Sequence, residues 1–297
     1  MTGSNHAVPV IFGEVLFDCF PDGNSVLGGA PFNVAWHLQA FGLSPLIVSS
    51  IGDDDLGRKV RSAMQDWNMN MVGLQLDSVH PTGSVDIEFN NGEPQYTIVE
   101  QRAYDHINAA LLPPLPDNML LYHGSLALRN KVSRDALLKL KAQHGGTVFM
   151  DVNLRDPWWD RKFVLDLAND ANWVKINEDE LNCLGSGEGT IESQAQKFID
   201  THTLKGLVVT LGEKGAIALT DDGVVAKVAP SQTLDVVDTV GAGDAFTSVL
   251  ILGISYGWSL DLIMERAQGF ASLIVGQQGA TVHDQDFYQA MIQDWSL

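Results

Sequence analysis

Short apolar runs bounded by turn-forming residues recur along the chain: VPVIFG at 8–13, LIVSSIG at 46–52, MLLYHG at 119–124, TVFMDVN at 147–153, NWVKIN at 172–177 and GLVVTLG at 206–212. Each is continuous rather than alternating, which is the pattern of a strand covered on both faces. Between the runs, apolar positions return at helical spacing. NVAWHLQAFG (33–42) stops on a glycine, and SRDALLKLKAQHGG (133–146) opens on a serine cap and closes on glycines. Strands alternating with helices predict an α/β protein with a mostly parallel central sheet flanked by helices.

One segment breaks this rhythm. In GSVDIEFNNGEPQYTIVE (83–100), Val85, Ile87 and Phe89 alternate onto one face, an Asn-Asn-Gly-Glu turn follows, and Tyr96 and Ile98 return. That predicts a hairpin with one apolar face. The stretch VLFDCFPDGNSVL (15–27) supplies further strands. A small antiparallel sheet set into a parallel core is a common way to build a lid. No Pro- or Ser-rich linker and no internal repeat divides the chain. It therefore reads as one domain, 1–297, with a lid formed near 15–30 and 81–106.

Composition narrows the partners. The formal net charge is −19 and 45% of residues are hydrophobic. Such a surface repels nucleic acid and anionic membranes, so a phosphate compound has to be met by locally placed donors. Cys19 and Cys183 sit in unrelated segments, as reduced thiols do. With no secretory leader pattern and no membrane-length apolar stretch, the expected location is the cytoplasm.

The chemistry-bearing stretches begin at DTVGAGDAF (238–246). Gly241, Ala242 and Gly243 let successive N–H groups converge, and a helix starting there adds the positive end of its dipole. That is an anion hole suited to a phosphoryl group, with Asp244 beside it as a base toward a hydroxyl. The alternative is that Asp244 merely caps the helix. In LGGAPFN (27–33), bare glycine backbone next to Asn33, with Asp18 upstream, suits a polyol; the alternative is a loop with an Asn cap. In NEDE (177–180), Asn177 and Glu180 are candidates to hold Mg²⁺ through water, and Lys175 to meet a phosphate; a solvated helix start is the alternative. Thr210, Gly212 and Gly215 in TLGEKG form either a cradle for nucleotide phosphates or a plain turn. The patterns of P-loop enzymes, dinucleotide-binding folds, zinc proteases and serine hydrolases are all missing.

Taken together and in order, GGAPFNVAWHLQAFG, DVNLRDPWW, VKINEDEL, VVTLGEKG and DTVGAGDAF resemble the PfkB carbohydrate kinases of the ribokinase superfamily, most of all the fructokinase branch. The resemblance runs from about residue 8 to about residue 282. It implies a ribokinase-like three-layer fold with a β-lid, and an ATP-dependent kinase acting on a sugar, with D-fructose as the expected acceptor. A kinase for 2-keto-3-deoxygluconate, ribose or a nucleoside, or a non-catalytic sugar binder, is the alternative. By the same resemblance Asp244 accepts the proton and 241–243 form the anion hole. Asp18, Gly28, Gly29 and Asn33 hold the sugar, with Arg155 either near the transferred phosphate or in a structural salt bridge. Asn177 and Glu180 organise Mg²⁺, and Thr210, Gly212, Gly215 and Gly243 line the nucleotide site with Lys175. A K⁺ site is implied at Asp238, Val240 and Gly279, the alternative for Asp238 being a side chain that pins the turn, and a homodimer through the lids is implied as well. His123 falls where ribokinases carry an acidic sugar contact, which turns the expectation away from ribose. Arg102, Tyr104 and His106, after the hairpin, are candidates for setting specificity; a structural role is the alternative.

Overall fold

The computed structural model describes residues 6–90, 93–143, 145–230 and 236–297. All six apolar runs become strands of one sheet. In chain order the strands are β1 (Val8–Phe12), β2 (Leu16–Cys19), β3 (Ser25–Gly28), β4 (Leu46–Gly52), β5 (Leu74–Asp77), β6 (Gly83–Asn90), β7 (Glu93–Ile98), β8 (Met119–His123), β9 (Thr147–Asp151), β10 (Trp173–Asn177), β11 (Gly206–Thr210), β12 (Ala216–Thr220) and β13 (Val225–Val228). The large sheet runs β13-β12-β11-β10-β9-β8-β1-β4-β5. Every pairing from β5 to β11 is parallel. β12 and β13 add an antiparallel edge, because the short connection at 211–215 has no room for a crossover helix.

Helices cover both faces. They are α1 (Ala30–Ala40), α2 (Asp55–Asp66), α3 (Lys131–Ala142), α4 (Arg161–Asn169), α5 (Glu178–Leu184), α6 (Ile191–His202), α7 (Ala242–Tyr256), α8 (Leu260–Val275) and α9 (Gln285–Trp295). Ile11, Tyr122 and Phe149 point into a core shared with α1, α2, α7, α8 and α9. Their neighbours Val10, Phe12, Leu121 and Met150 point into a second core shared with α3 to α6. The two cores explain the continuous apolar runs: successive side chains of a strand face opposite ways, and both ways are dry. Among the described residues, no helix is long and apolar enough to cross a membrane.

Two helix starts differ from expectation. α1 begins at Ala30, not Asn33; Gly29 is its cap and Pro31 sits in its first turn, where the missing N–H does no harm. α3 is capped by Asn130, whose side chain accepts from Val132 N at 3.0 Å. The expected cap, Ser133, lies inside that helix, donating to the Tyr104 carbonyl and accepting from Ile107 N.

The second sheet is small, with order β3-β2-β6-β7. It is antiparallel except where β2 runs beside β6. Val85 and Ile87 are buried as the alternation predicts, but Phe89 is 58% exposed and Tyr96, paired with Ile87, is 62% exposed. The small cluster of Leu16, Val85, Tyr104, Leu126 and Ala127 covers only the near end of that face. The hairpin turn at Asn91 and Gly92 lies outside the described residues.

Arg129 fastens the near end. It donates to both oxygens of Asp105 at 2.7 and 2.8 Å, to the Val99 carbonyl and to the Tyr104 hydroxyl. Its guanidinium lies over the rings of Trp158 and Tyr104. Both charged partners are buried, with side-chain exposures of 7% and 2%. Removing one partner of such a pair strands the other charge. Arg129→Ala should therefore lower the unfolding free energy by roughly 3–5 kcal/mol in urea titration. Adding Asp105→Ala should recover part of that loss, because the stranded carboxylate goes with it.

Candidate active site

The sheet order reverses at β1: the chain steps outward to β4 and β5, then returns to β8 on the other side. Ligand crevices in open α/β sheets form outside the carboxyl ends of the strands at such a point. Those ends carry Glu14 just past β1, Asp151 on β9, Lys175 and Asn177 on β10 and Thr210 on β11.

α7 stands over these strand ends. Its cap is Gly241, held at φ 79, so the amides of Ala242, Gly243 and Asp244 open the helix. A side chain at 241 would put its Cβ 2.4 Å from the backbone of Ala280, and the left-handed conformation already favours glycine. Asp244 is therefore not a cap. Its Oδ2 accepts from Asn33 Nδ2 at 2.8 Å, across 211 residues of sequence. Asn33 is no cap either, since it lies inside α1 and its N–H donates to the Gly29 carbonyl. Both side chains are freed from local duty and meet each other. Burial pushes Asp244 up to about 6; the Asn33 bond opposes this, the Asp151 charge adds to it, and Lys175 and Arg155 oppose it.

Beneath the helix start lies a buried ionic anchor. Lys175 Nζ donates to both oxygens of Asp151, at 3.0 and 2.9 Å, and Thr247 Oγ1 donates to Asp151 at 3.0 Å. These contacts tie β9, β10 and α7 together. The sequence reading named Lys175 but missed Asp151 and Thr247; the available signal was a carboxylate ending a buried apolar strand, DVN at 151–153. Lys175 Nζ is 3.9 Å from where a Cβ on Gly243 would sit, so its charge lies just under the first turn of α7.

The other candidates fall around this centre. Gly28 ends β3 and Gly29 leads into α1. Asp18 on β2 stands in a row with Val26 and Val85, and burial raises its carboxyl. Arg155 is exposed and donates to the Leu154 carbonyl. Asn177 and Glu180 form a capping box at the start of α5, and Glu180 also accepts from Leu154 N at 2.7 Å. Burial raises the Glu180 carboxyl as well. Thr210, Gly212 and Gly215 line a cavity of about 540 Å³ with Ala242, Gly243 and Phe246. Its far wall is α8, through Gln268, Ala271 and Ser272, none of which the sequence reading singled out. Asp238 accepts from Val240 N at 2.9 Å and from Gly279 N at 3.1 Å, so it pins its own turn and joins it to the loop before α9. Among the described residues no three His, Cys, Asp or Glu side chains gather as a metal cluster.

Of the residues after the hairpin, Tyr104 is fully buried against Arg129, and His106 stacks on His80 at 3.6 Å. His123 is fully buried, its Nδ1 is 2.9 Å from the Gly124 carbonyl, and the nearby Lys141 charge joins burial in lowering its pKa to about 3. Lys141 belongs to α3, on the sheet face away from α7. His123 therefore gives no ground for choosing among sugars.

Strand-end carboxylates, a helix start facing them and an adjoining cavity define an α/β phosphotransferase site. Residues 20–286 match the pfkB family carbohydrate kinases. The chain belongs to that family and is a sugar phosphotransferase. It is 29% identical over 289 residues to aminoimidazole riboside kinase of Salmonella typhimurium, covering 91% of this chain and 89% of the relative. It is 30% identical over 259 residues to a fructokinase of Klebsiella pneumoniae, covering 82% and 83%. Its fold is similar to the crystal structure of fructokinase from Vibrio cholerae O395 in its fructose-, ADP- and calcium-bound form, with a TM-score of 0.82, 27% identity and coverage of 94% and 96%. It is similar to the same degree, TM-score 0.82, to aminoimidazole riboside kinase from Salmonella enterica complexed with aminoimidazole riboside and an ATP analog, at 26% identity over 96% and 99% of the two chains. These likenesses bear out the ribokinase-like fold and the fructokinase branch.

The setting of Asp244 yields a pH prediction. A base with its pKa near 6 is lost as pH falls through that value. Wild-type kcat/KM should therefore drop about tenfold per unit below pH 6. Asp244→Asn should fold normally and lose at least about 10²-fold in kcat. Near-normal kcat in a stable Asp244→Asn enzyme would return Asp244 to a structural role.

Proposed function

We propose that the protein transfers the γ-phosphoryl group of ATP to D-fructose, giving fructose 6-phosphate and ADP. The observation that carries this reading is the Asn33–Asp244 hydrogen bond, which joins the glycine loop suited to a polyol to the helix start suited to a phosphate. Asp18, Gly28, Gly29 and Asn33 hold the sugar. Asp244 takes the proton of the attacking hydroxyl as its oxygen bonds to the γ-phosphorus and the bond to the ADP oxygen breaks. Amides at the Gly241–Gly243 turn, with Lys175 and Arg155 nearby, stabilise the charge on the transferred group. The nucleotide occupies the cavity bordered by Thr210, Gly212 and Gly215. The small sheet closes over the sugar as a lid on one kinase domain. Its exposed Phe89 and Tyr96 are where a second copy would pack to form a homodimer.

Mg²⁺ suits the donors at the β10 end. Glu180 already accepts two backbone N–H groups, and an ion that keeps its waters needs little more than one such carboxylate beside the substrate phosphates. Bound there by Asn177 and Glu180 through water, it would supply charge neutralisation. A riboside acceptor is the second reading, supported by the Salmonella relative that aligns over 91% of the chain.

In an ADP-release assay with D-fructose, D-ribose, 2-keto-3-deoxygluconate, adenosine and aminoimidazole riboside, fructose should give the highest kcat/KM. A clear preference for another acceptor would move the assignment within the family. Potassium should raise kcat with little effect on the sugar KM. The motivation is that Asp238 and Val240 form the turn beside the anion hole, against the loop at Gly279. A cation between the loops would offset the Asp238 charge and stiffen the turn without touching sugar. Equal rates in K⁺, Na⁺ and a bulky organic cation at constant ionic strength would leave Asp238 as a purely structural pin.

A further inference from the structure

Glu14 lies two residues past the last residue of β1 and belongs to no motif assigned above. It is 4% exposed, and its Oε2 is fully enclosed with no hydrogen-bond partner among the described residues. A buried carboxyl oxygen without a donor is costly and calls for a cause. Its place supplies one. β1 ends where the strand order reverses, and the glycine loop is laid directly on Glu14. A Cβ on Gly29 would come within 2.8 Å of the Glu14 carbonyl oxygen and 3.5 Å of its Cγ. Glycine at 29, held at φ 104, is what lets the loop approach so closely.

A second unpartnered acceptor borders the same spot. Asn33 gives its amide N–H to Asp244, and its Oδ1 is likewise enclosed and without a partner. That oxygen lies 3.8 Å from where a Cβ on Gly28 would be. The charged and titratable groups facing Glu14 are Asp244 from α7, Arg155 from the stretch after β9, Tyr104 from the turn at 103–106 and Tyr122 from β8. The Ala127 backbone donates toward its carboxyl. Two idle acceptors beside one base, roofed by bare glycine backbone, are what a ligand carrying several hydroxyl donors would satisfy.

We propose that Glu14 is a sugar-binding residue of the kinase site, its Oε2 accepting a hydroxyl of the bound monosaccharide beside the one that Asn33 Oδ1 accepts. This rests on the sugar-kinase reading and adds the residue that would read a further hydroxyl. Burial pushes the Glu14 carboxyl up to about 7. A hydroxyl donating to Oε2 favours the charged form and draws that value back down. Sugar should therefore bind more tightly as pH rises from 6 to 8, over and above any contribution from Asp244.

The test is calorimetric binding of D-fructose, or of the sugar that the wild-type enzyme turns over fastest, to wild-type and Glu14→Gln enzymes between pH 6 and 8. Glutamine keeps the shape and one oxygen for the Ala127 amide. The variant should bind sugar at least about tenfold more weakly at pH 8, the size expected for a hydrogen bond to a charged group. Its ATP KM should stay within about twofold of wild type. Because Asp244 is present in both proteins, the ratio of the two sugar dissociation constants isolates Glu14, and that ratio should grow with pH. Glu14→Asp keeps the charge but shortens the reach; it should weaken sugar binding likewise, and it serves if the glutamine variant fails to fold. Sugar affinity within twofold of wild type, with an unchanged pH dependence, would make Glu14 a structural residue. ADP release by the wild-type enzyme tests the kinase reading separately, so the two failures are distinguishable.

Discussion

The position of one helix start governs this site, and a buried carboxylate sets it. Asp151 ends β9 at 2% exposure, and Lys175 and Thr247 both donate to it. An unpaired carboxylate there would be costly to bury. The arrangement is stable only if β10 brings its lysine alongside and α7 comes down far enough to place Thr247. Once α7 is so held, Gly243 lies over the Lys175 ammonium and Asp244 comes within reach of Asn33. Backbone amides, a cation and a carboxylate then share a space a few ångströms across, although the chain draws them from three distant segments.

That local arrangement answers the overall charge. A protein with net charge −19 offers no long-range attraction to a nucleotide. The amides opening α7 and the buried Lys175 provide positive potential where solvent is largely excluded, so it is little screened by salt, and Arg155 adds its charge from an exposed position. The same exclusion of water makes Asp244 a usable base. In solvent its carboxyl would titrate near the ordinary value; here burial outweighs the Asn33 hydrogen bond and lifts it toward neutral pH. Glu14 is lifted by the same cause. Two carboxyls with weakened acidity at the mouth of β1 and the start of α7 mark the part of the fold that stability alone would not retain.

Much was legible in the sequence. Six continuous apolar runs reported strands dry on both faces, because a parallel sheet between two helical layers leaves no polar side. Glycine spacing in VGAGD and GGAPFN reported tight turns next to helix starts, because few other residues allow such backbone paths. Local competition was not legible. Asn33 and Asp244 are both good caps by residue type, and only the approach of α1 to α7 shows that neither caps a helix. Phe89 shares the alternation of Val85 and Ile87, yet alternation does not say where the covering layer ends. His123 sits at a strand end like Asp151, but its ring turns to the α3 face. Thr247 and Glu14 lie outside every quoted motif, and Asp151 opens DVNLRDPWW without any sign of its partner: a lone carboxylate or hydroxyl after an apolar run reads as a strand boundary until folding shows what stands opposite. Periodicity and turn chemistry are properties of neighbouring residues and survive in the linear text. The partner of a buried polar atom comes from residues as much as 251 positions away, and only the packed structure chooses it.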